Sequence, residues 1–271
     1  MSDRTPRYPF TSYPNGWYFI AETRDMKPGD ERSGIVCGTR ILFRMQSNGI
    51  IVLDNAMQCH EDNGLLYVFW GTQQKEVMRL PHFVELRDDG WMGPFNHVFK
   101  IRSHVQDITE NTVDRAHMVN VHGYRSAPAC HSFRIDGPHL VMSTEGPRTM
   151  FGITETIKMD ITCYGVGLIE TYVVSDHVTT KILITNTPID EDTVRINLWF
   201  AIKKQGRLRD TIHRLLVPPL VHREFSYDLP IWENKIYRAQ PILCAEEKDV
   251  ANYRRWARQF FQEATVNEVA A

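Results

Sequence analysis

Residues 154–175 have the sequence TETIKMDITCYGVGLIETYVVS, in which apolar and polar side chains alternate with a period of two around a glycine-containing turn. The alternation recurs in FRIDGPHLVMS (133–143), TTKILITNTPID (179–190) and TVRINLWFAIKK (193–204). Because successive side chains of a strand point to opposite faces, this period is typical of half-buried strands. The segment from 132 to 203 therefore predicts several strands of one antiparallel sheet.

Shorter strands and a few helices are predicted on either side of this sheet. Residues 16–23, 34–45, 49–54 and 64–71 favour short antiparallel strands, and 96–108 favour a strand that enters a helix. Towards the C-terminus, residues 206–217 and 220–237 predict helices separated by Pro218 and Pro219, and 247–266 predict a final helix. The expected fold class is α+β.

The helix predicted just before the sheet carries the most informative polar residues. Its core, NTVDRAHMVNVH at 111–122, has apolar or small residues at helical spacing, which predicts a helix over 108–121. Asp114 and His117 are three residues apart and share a face of it. His117 and His122 are five apart, roughly 140° around an ideal helix. Both histidines can reach one ion only if the helix ends or bulges between them, and Gly123 is a usual helix terminator.

A third candidate ligand, Asp228, lies far along the chain in YDLPIWENK. Two imidazoles and one carboxylate form the facial triad of mononuclear non-haem Fe(II) sites, which leaves positions open for O2 or substrate. The chain contains eleven histidines, so two in one helix also occur without any metal site. Spacing alone leaves both interpretations open.

Several segments together resemble a known family. The D-x-x-H-x-x-x-x-H pattern from Asp114 to His122, followed by Asp228 in a Trp-containing helix, resembles the catalytic domain of Rieske non-haem iron oxygenase α subunits. The most similar subgroup acts on steroids and includes 3-ketosteroid 9α-hydroxylase oxygenase components and cholesterol 7-desaturases. The resemblance extends from about residue 8 to 262, weakly over 124–158, and includes these segments: YPNGWYFIAETRDMKPGD (13–30), GTRILFRMQSNGIIVLDNA (38–56), DNGLLYVFWG (62–71), DLPIWENKIYRAQPIL (228–243) and YRRWARQFF (253–261).

The resemblance implies roles for these residues. By position, His117, His122 and Asp228 correspond to the family's iron ligands. Asp114 corresponds to a buried acid that hydrogen-bonds a ligand histidine and bridges to the cluster of the neighbouring subunit. The implied fold for 76–271 is a helix-grip (START-like) arrangement, an antiparallel sheet around a long C-terminal helix, with a deep apolar pocket for a bulky hydrophobic substrate. A homo-oligomer, by resemblance a head-to-tail trimer, is also implied.

One feature of the family is missing from the sequence. A Rieske [2Fe-2S] cluster needs two cysteines and two histidines, which the family supplies as C-x-H and C-x-x-H. None of the five cysteines stands in either motif, and Cys59-His60 and Cys130-His131 are direct neighbours. LDNA at 53–56 leads almost directly to the strand at 64–71, where the family inserts both ligand loops. We therefore predict a truncated Rieske-like β remnant at 1–75 without a [2Fe-2S] cluster.

Composition narrows the class of protein. A chain of 271 residues with 42% hydrophobic residues is long enough to bury a large core. A net charge of -2 with interspersed charges argues against nucleic acid and against an anionic membrane surface as partners. No apolar run approaches the roughly 18 residues of a membrane span, and MSDRTPRYPF does not resemble a signal peptide. Unpatterned cysteines favour a reducing cytoplasm.

Three functions remain open from the sequence. In the first, mononuclear Fe(II) activates O2 on a steroid, terpenoid or polyketide, with electrons from the substrate or from a separate electron donor. In the second, the metal polarises a carbonyl or hydroxyl in a redox-neutral isomerase, lyase or cyclase reaction. In the third, the pocket binds a hydrophobic ligand without chemistry. Tyr124 and Tyr227, next to His122 and Asp228 in the sequence, are candidate acid/base residues.

Overall fold

The computed structural model describes residues 13–53, 57–71, 78, 80–83, 88–244 and 247–261, and it contains three antiparallel sheets and five α-helices within these ranges. The strands are β1 Gly16–Glu22, β2 Glu31–Val36, β3 Thr39–Gln46, β4 Gly49–Val52, β5 Cys59–Asp62, β6 Leu65–Trp70, β7 Trp91–Arg102, β8 Ala129–Asp136, β9 His139–Met150, β10 Ile153–Tyr164, β11 Leu168–Val174, β12 Thr179–Pro188 and β13 Thr193–Lys203. The helices are α1 Val105–Glu110, α2 His117–Val121, α3 Arg207–Ser226, α4 Leu229–Asn234 and α5 Lys248–Ala257, which a 3₁₀ turn at Arg258–Phe260 extends.

The large sheet has seven strands in the order β7-β13-β12-β11-β10-β9-β8. Strands β8 to β13 are joined in sequence order by hairpins, so each pairs with its neighbour along the chain. β7 closes the order by pairing with β13. The alternation in β10 places Ile157 and Ile161 on the buried face. The prediction of one antiparallel sheet over 132–203 is confirmed, and the predicted strand at 96–108 is β7, which begins earlier and ends at Arg102.

The two small sheets, β1-β6-β5 and β2-β3-β4, come from residues 16–70. The prediction of a single strand over 34–45 was wrong, because Cys37 and Gly38 have φ values of 50° and 72° and form a tight turn between β2 and β3. Strand β5 was not predicted, since its sequence CHED has no apolar pattern. The Phe19 ring lies 5.9 Å from the Trp199 ring of the large sheet, within one continuous core. The predicted domain boundary at residue 75 lies outside the described residues.

The segment with the two histidines is not the single helix predicted over 108–121. Helix α1 ends at Glu110, and α2 begins only at His117. The carboxylate of Asp114 accepts hydrogen bonds from the backbone N–H groups of Ala116 and His117, and thereby starts a new helix. α2 ends at Val121, so His122 has φ -108° and ψ 12° and leaves the helical path. The two imidazoles are therefore free to point to one place.

Two other helix predictions need correction. Pro218 and Pro219 lie inside one continuous helix, α3, instead of separating two helices. The carbonyl groups that they leave without a helical donor belong to Arg214 and Leu215, which are exposed, so water can replace the missing N–H groups. The final helix α5 starts as predicted but ends at Ala257, and the predicted part beyond residue 261 lies outside the described residues.

An ion-pair cluster fixes α1 against the C-terminal part of the chain. Glu110, the last residue of α1, is 3% exposed and accepts hydrogen bonds from Arg254 of α5 at 2.6 and 2.8 Å. The Nζ of Lys235 lies 3.0 Å from the same carboxylate. Burial alone would raise the pKa of Glu110, but these two cations hold it below its usual value. The segment that follows α1 carries the two histidines, so this cluster supports their position.

We expect Glu110→Gln to lower the free energy of unfolding by about 3 kcal/mol, because two buried or half-buried cations lose their counter-charge. Since the Glu110 pKa is lower in the folded chain than in the unfolded chain, the wild-type advantage is present above the unfolded pKa of about 4.3 and is lost as the pH falls through the folded pKa. Chemical denaturation at neutral and acidic pH measures both effects. Glu31→Gln, which breaks an exposed pair with Arg44, is the control and should change stability much less.

Candidate metal centre and adjoining cavity

Three side chains from separate parts of the chain converge on one point. One ligand atom from each of His117, His122 and Asp228 lies within 4.8 Å of the other two. The Nε2 atoms of His122 and His117 are 3.2 and 3.9 Å from Oδ1 of Asp228. Asp228, 6% exposed, precedes α4, where the chain turns after α3. In the part of the chain that the structure describes, no other group of three or more His, Cys, Asp or Glu side chains converges in this way.

Neighbouring groups orient both rings. The Nδ1–H of His117 donates to the backbone carbonyl oxygen of Asp114, so Nε2 is the acceptor nitrogen of this ring and faces Asp228. On His122, Nδ1 lies 3.5 Å from a carboxylate oxygen of Glu224, and Arg148 forms a short ion pair with that same oxygen. Arg148 also donates to the backbone carbonyl oxygen of His122 at 2.8 Å. A carboxylate or carbonyl on the far nitrogen of a ligand histidine is the usual support of a metal site.

The charged side chains at this point strongly influence the pKa values of the two histidines. Burial lowers the pKa of His117, against the attraction of Asp228 and Asp114. Burial alone would also lower the pKa of His122, but the carboxylates of Asp228 and Glu224 raise it to about 9. His122 therefore carries a proton at neutral pH, beside these two carboxylates. A divalent cation between the three side chains would take the place of that proton and supply the positive charge they favour.

The three side chains form part of the wall of a cavity of about 320 Å³. The sheet contributes mostly apolar side chains, among them Met142, Ile157, Ile161 and Ile182, and α3 closes the opposite side with Val217, Leu220, Val221 and Phe225. Polar side chains cluster near the histidines, as the lining includes Asn111, Tyr124, Arg148, Glu155 and Glu224. A mostly apolar pocket with a few converging polar groups is typical of a site for a hydrophobic small molecule.

The other residues singled out from the sequence have varied positions. Tyr124 is 4% exposed and lines the cavity, and burial raises its pKa to about 12, so its hydroxyl stays protonated. Tyr227 is 45% exposed and is not among the cavity-lining residues, because α3 ends there with its side chain towards solvent; this placement is against the predicted acid/base role. Asp114 touches His117 through its backbone carbonyl, while its carboxylate caps α2.

Sequence reasoning missed two polar residues of the site, Glu224 and Arg148. Glu224 stands one helical turn before Asp228, and this i, i+4 pair of acids was the available signal. Arg148 lies in the stretch that resembles the family weakly, where no motif marks it. Asn111 closes the C-terminus of α1, and its amide nitrogen lies 3.2 Å from Nε2 of His117. From the sequence, Asn111 is either a hydrogen-bonding group near the metal or, as the favoured interpretation, a helix cap.

The comparison with protein families agrees with this geometry. Residues 71–261 match the family model of the 3-ketosteroid 9α-hydroxylase C-terminal domain, which is more than half of the chain. The chain belongs to this family. The predicted relation to Rieske non-haem iron oxygenases is thereby confirmed, and among the family's named members are oxygenases and desaturases.

Individual relatives are distant in sequence. A cholesterol 7-desaturase from Ciona intestinalis is 24% identical, and the match covers 93% of this chain and 73% of the relative. The oxygenase component of a 3-ketosteroid-9-alpha-monooxygenase from Rhodococcus rhodochrous is 25% identical, over 74% of this chain and 57% of the relative. The crystal structure of dicamba monooxygenase bound to 3,6-dichlorosalicylic acid shares the fold, with a TM-score of 0.70, 10% identity and coverage of 93% of this chain and 98% of that chain.

Among the described helices, none combines the length and the apolar character that crossing a bilayer requires.

We expect Glu224→Gln to weaken divalent-metal binding about tenfold to a hundredfold, because the carboxylate that orients His122 through Nδ1 is lost. Titration of the metal-free protein with Fe(II) under argon, or with Co(II) as a spectroscopic substitute, measures the affinity. Glu233→Gln makes the same change at an exposed position of α4 and should bind the metal like the wild type. Equal affinities for all three proteins would show that Glu224 does not support the ligand.

Proposed function

We propose that this chain is a mononuclear non-haem Fe(II) enzyme that uses O2 to oxidise a bulky hydrophobic small molecule and that it has no [2Fe-2S] cluster of its own. The observation that carries the proposal is the convergence of His117, His122 and Asp228 on one point in the wall of an apolar cavity. The family supports an oxidation with O2 as the class of reaction. The apolar cavity supports a bulky hydrophobic molecule as the substrate.

The donor atoms suit an Fe(II) ion. Two imidazole nitrogens and one carboxylate oxygen are the ligand set of the facial triad, and hydrogen bonds at Nδ1 leave both Nε2 atoms for the ion. The Asp228 carboxylate is buried and meets both Nε2 atoms, and a divalent cation at this point would balance its charge. Fe(II) in such a site supplies O2 activation. The protein's own groups hold the ligands, exclude water with the apolar walls and offer the protonated Tyr124 hydroxyl as a donor.

Three observations support the absence of the cluster. No cysteine of the sequence stands in a C-x-H or C-x-x-H motif. In the structure, β4 ends at Val52 and β5 begins at Cys59, so the connection where the resemblance implies two ligand loops has six residues. The match to the cholesterol 7-desaturase runs over 343 residues, whereas the matched 93% of this chain is about 252 of its 271 residues. About 91 aligned positions of that relative therefore have no counterpart in this chain, which supports the proposed loss of a segment.

The electrons for O2 reduction must then come from elsewhere. One source is the substrate itself, as in a desaturation, an oxidative cyclisation or a C–C cleavage. The other is a separate electron donor, since the Rhodococcus relative is named as an oxygenase component. From the family resemblance we also propose a trimer and the bridging role of Asp114. The cytoplasmic location follows from the unpatterned cysteines, and the acid/base role of Tyr124 follows from its position next to His122.

The cavity suggests how a substrate is held. We infer a helix-grip arrangement, in which the large sheet and α3 enclose the ligand, because both contribute lining residues. Two lining atoms, Oγ1 of Thr144 and Oε2 of Glu155, are buried without a hydrogen-bond partner. Glu155 pairs across the sheet with Arg148, four residues along β9 from Thr144, so the backbone positions of Thr144 and Glu155 are separated by about 13 Å along the strand direction. A fused-ring molecule with oxygen functions at two distant positions would satisfy both.

A redox-neutral reaction is the second candidate. The missing cluster motifs favour it, because a metal that only polarises a carbonyl or hydroxyl needs no electron supply. The same ligands and the same cavity would serve it. The two reactions differ in their dependence on O2 and on iron.

The decisive experiment supplies Fe(II) anaerobically and then O2, with a chemical electron donor and a panel of steroids, triterpenoids and fused polyketides. We expect about one iron per chain without the visible absorption of a [2Fe-2S] cluster, and substrate-dependent O2 uptake, because the triad activates O2. Asp228→Ala should abolish both iron binding and uptake, while Asp160→Ala, on the exposed side of β10, should preserve them. A [2Fe-2S] spectrum would refute the proposal. Turnover without O2 and with another divalent metal would establish the redox-neutral reaction instead.

We expect Thr144→Val to leave the free energy of unfolding unchanged or raise it by up to about 1 kcal/mol, because the lost hydroxyl has no partner in the ligand-free protein. The same substitution should raise KM for a hydroxylated substrate more than it lowers kcat. Thr109→Val is the matched control for stability: Thr109 donates to Val166 at 2.7 Å and is fully buried, so its loss should destabilise by about 1–2 kcal/mol. Equal destabilisation in both variants would show that Thr144 is hydrogen-bonded within the protein.

A further inference from the structure

Helix α3 carries an exposed apolar stripe. Leu208, Ile212, Leu215 and Leu216 are 78, 45, 68 and 63% exposed. Their spacing of four, three and one residues places them on one side of the helix, and exposed Pro219 continues the same side. Single exposed leucines are common on proteins, but a contiguous row of this kind marks a binding surface.

The stripe lies opposite the side of α3 that serves the cavity. Val217, Leu220, Val221 and Phe225 line the cavity, and on a helical projection they lie on the side opposite the exposed row. α3 is thus apolar on two sides, of which the protein itself covers only one. Packing against the protein's own core does not account for the exposed apolar side of α3.

A second exposed apolar element lies beside α3. The turn between β9 and β10 presents Phe151 at 77% exposure and Ile153 at 58% exposure. The guanidinium of Arg223, in α3, lies 5.2 Å from the centre of the Phe151 ring, so the turn is next to the helix. Both elements border the cavity, since Met150 and Glu155 flank the turn and line it. We call Leu208, Ile212, Leu215, Leu216, Phe151 and Ile153 the α3–turn surface.

The charges around the α3–turn surface are positive. Five basic side chains at or near it are exposed: Lys203, Arg207, Arg209, Arg214 and Arg223. The acids of α3 are Asp210, which accepts from the backbone N–H of Gln205, and Glu224, which is paired with Arg148. The net charge of -2 for the whole chain argues against an anionic membrane as a partner, but this surface differs in sign from the average of the molecule, so the net charge does not exclude such a partner here.

We propose that the α3–turn surface binds peripherally to a membrane with anionic lipid headgroups. An apolar row flanked by Lys and Arg is the chemistry of helices that lie in the lipid interface, where aliphatic and Phe side chains enter the acyl boundary and cations meet the headgroups. A two-fold contact between two copies of this surface would bring arginines together, which is unfavourable, and a head-to-tail contact with another surface of a second copy is the alternative that light scattering tests below. Delivery of an apolar substrate from the bilayer to the cavity behind α3 would follow if the proposed function is correct, but membrane binding itself does not depend on it.

Vesicle co-sedimentation of the full chain tests the proposal without any activity measurement. We expect the protein to sediment with vesicles of phosphatidylcholine and phosphatidylserine, more weakly with phosphatidylcholine alone, and less at high salt, because screening weakens the headgroup attraction. The double variant Leu215→Gln/Leu216→Gln should bind at least about tenfold more weakly. Phe151→Gln should weaken binding as well, and Arg209→Gln/Arg214→Gln should remove the preference for the anionic lipid.

Ile35→Gln is the matched control, since Ile35 is 43% exposed on β2, in a sheet that contributes no lining residue to the cavity, and this variant should bind like the wild type. Circular dichroism and thermal unfolding establish that each variant is folded. The proposal is overturned if the wild-type protein ignores anionic vesicles or if the α3 and Phe151 variants bind them unchanged. Light scattering tests the alternative that a second copy of the chain covers this surface. If the protein does not bind vesicles and forms a homo-oligomer that Leu215→Gln/Leu216→Gln dissociates, the surface is a subunit interface.

Discussion

The site depends on a carboxylate buried between two imidazoles. Asp228 is 6% exposed, yet its oxygen has His122 at 3.2 Å and His117 at 3.9 Å as neighbours. A buried charge of this kind is stable only if positive charge accompanies it. In the metal-free protein the proton on His122 and the more distant Arg148 provide it, and a divalent cation would do so more completely. The three ligand side chains therefore form one electrostatic unit with Glu224 and Arg148. Removal of any one of these side chains leaves the charge of another without a counter-charge.

The parts of the fold that could be predicted are those with a local periodic signal. Six strands over 129–203 follow from the alternating sequence, and the alternation of buried and more exposed side chains is clearest in β9 and β10. The hairpin at Cys37 and Gly38 was missed because apolar residues continue through it and only backbone conformation reveals the turn. The prolines of α3 led to the wrong prediction of two helices. A proline normally breaks a helix, but here the carbonyl groups left without a donor belong to exposed residues, and packing holds the helix together.

The candidate site could be predicted only in part. The spacing of His117 and His122 demanded a break in the helix, and the structure provides one through the carboxylate of Asp114. The sequence could not show which carboxylate meets His122 on its Nδ1 side, because Glu224 is 102 residues away along the chain and only the docking of α3 brings it there. The sequence cannot reveal cavity atoms without a hydrogen-bond partner, such as Oγ1 of Thr144, because the same residue type occurs with and without such a partner.

The proposed loss of the cluster changes how electrons and substrate must reach the metal site. In a cluster-bearing relative, the face around Asp114 serves the neighbouring subunit's cluster by the resemblance drawn above, whereas here its carboxylate has become a helix cap. A chain without that relay needs a substrate that gives up electrons or a donor that docks from outside, and in both cases access to the cavity limits the reaction. α3 separates part of the cavity from solvent, because one of its sides lines the cavity and the other faces out with an apolar row and arginines. The helix ends at Ser226, two residues before Asp228, so a partner on its outer side would contact the helix that leads into this ligand.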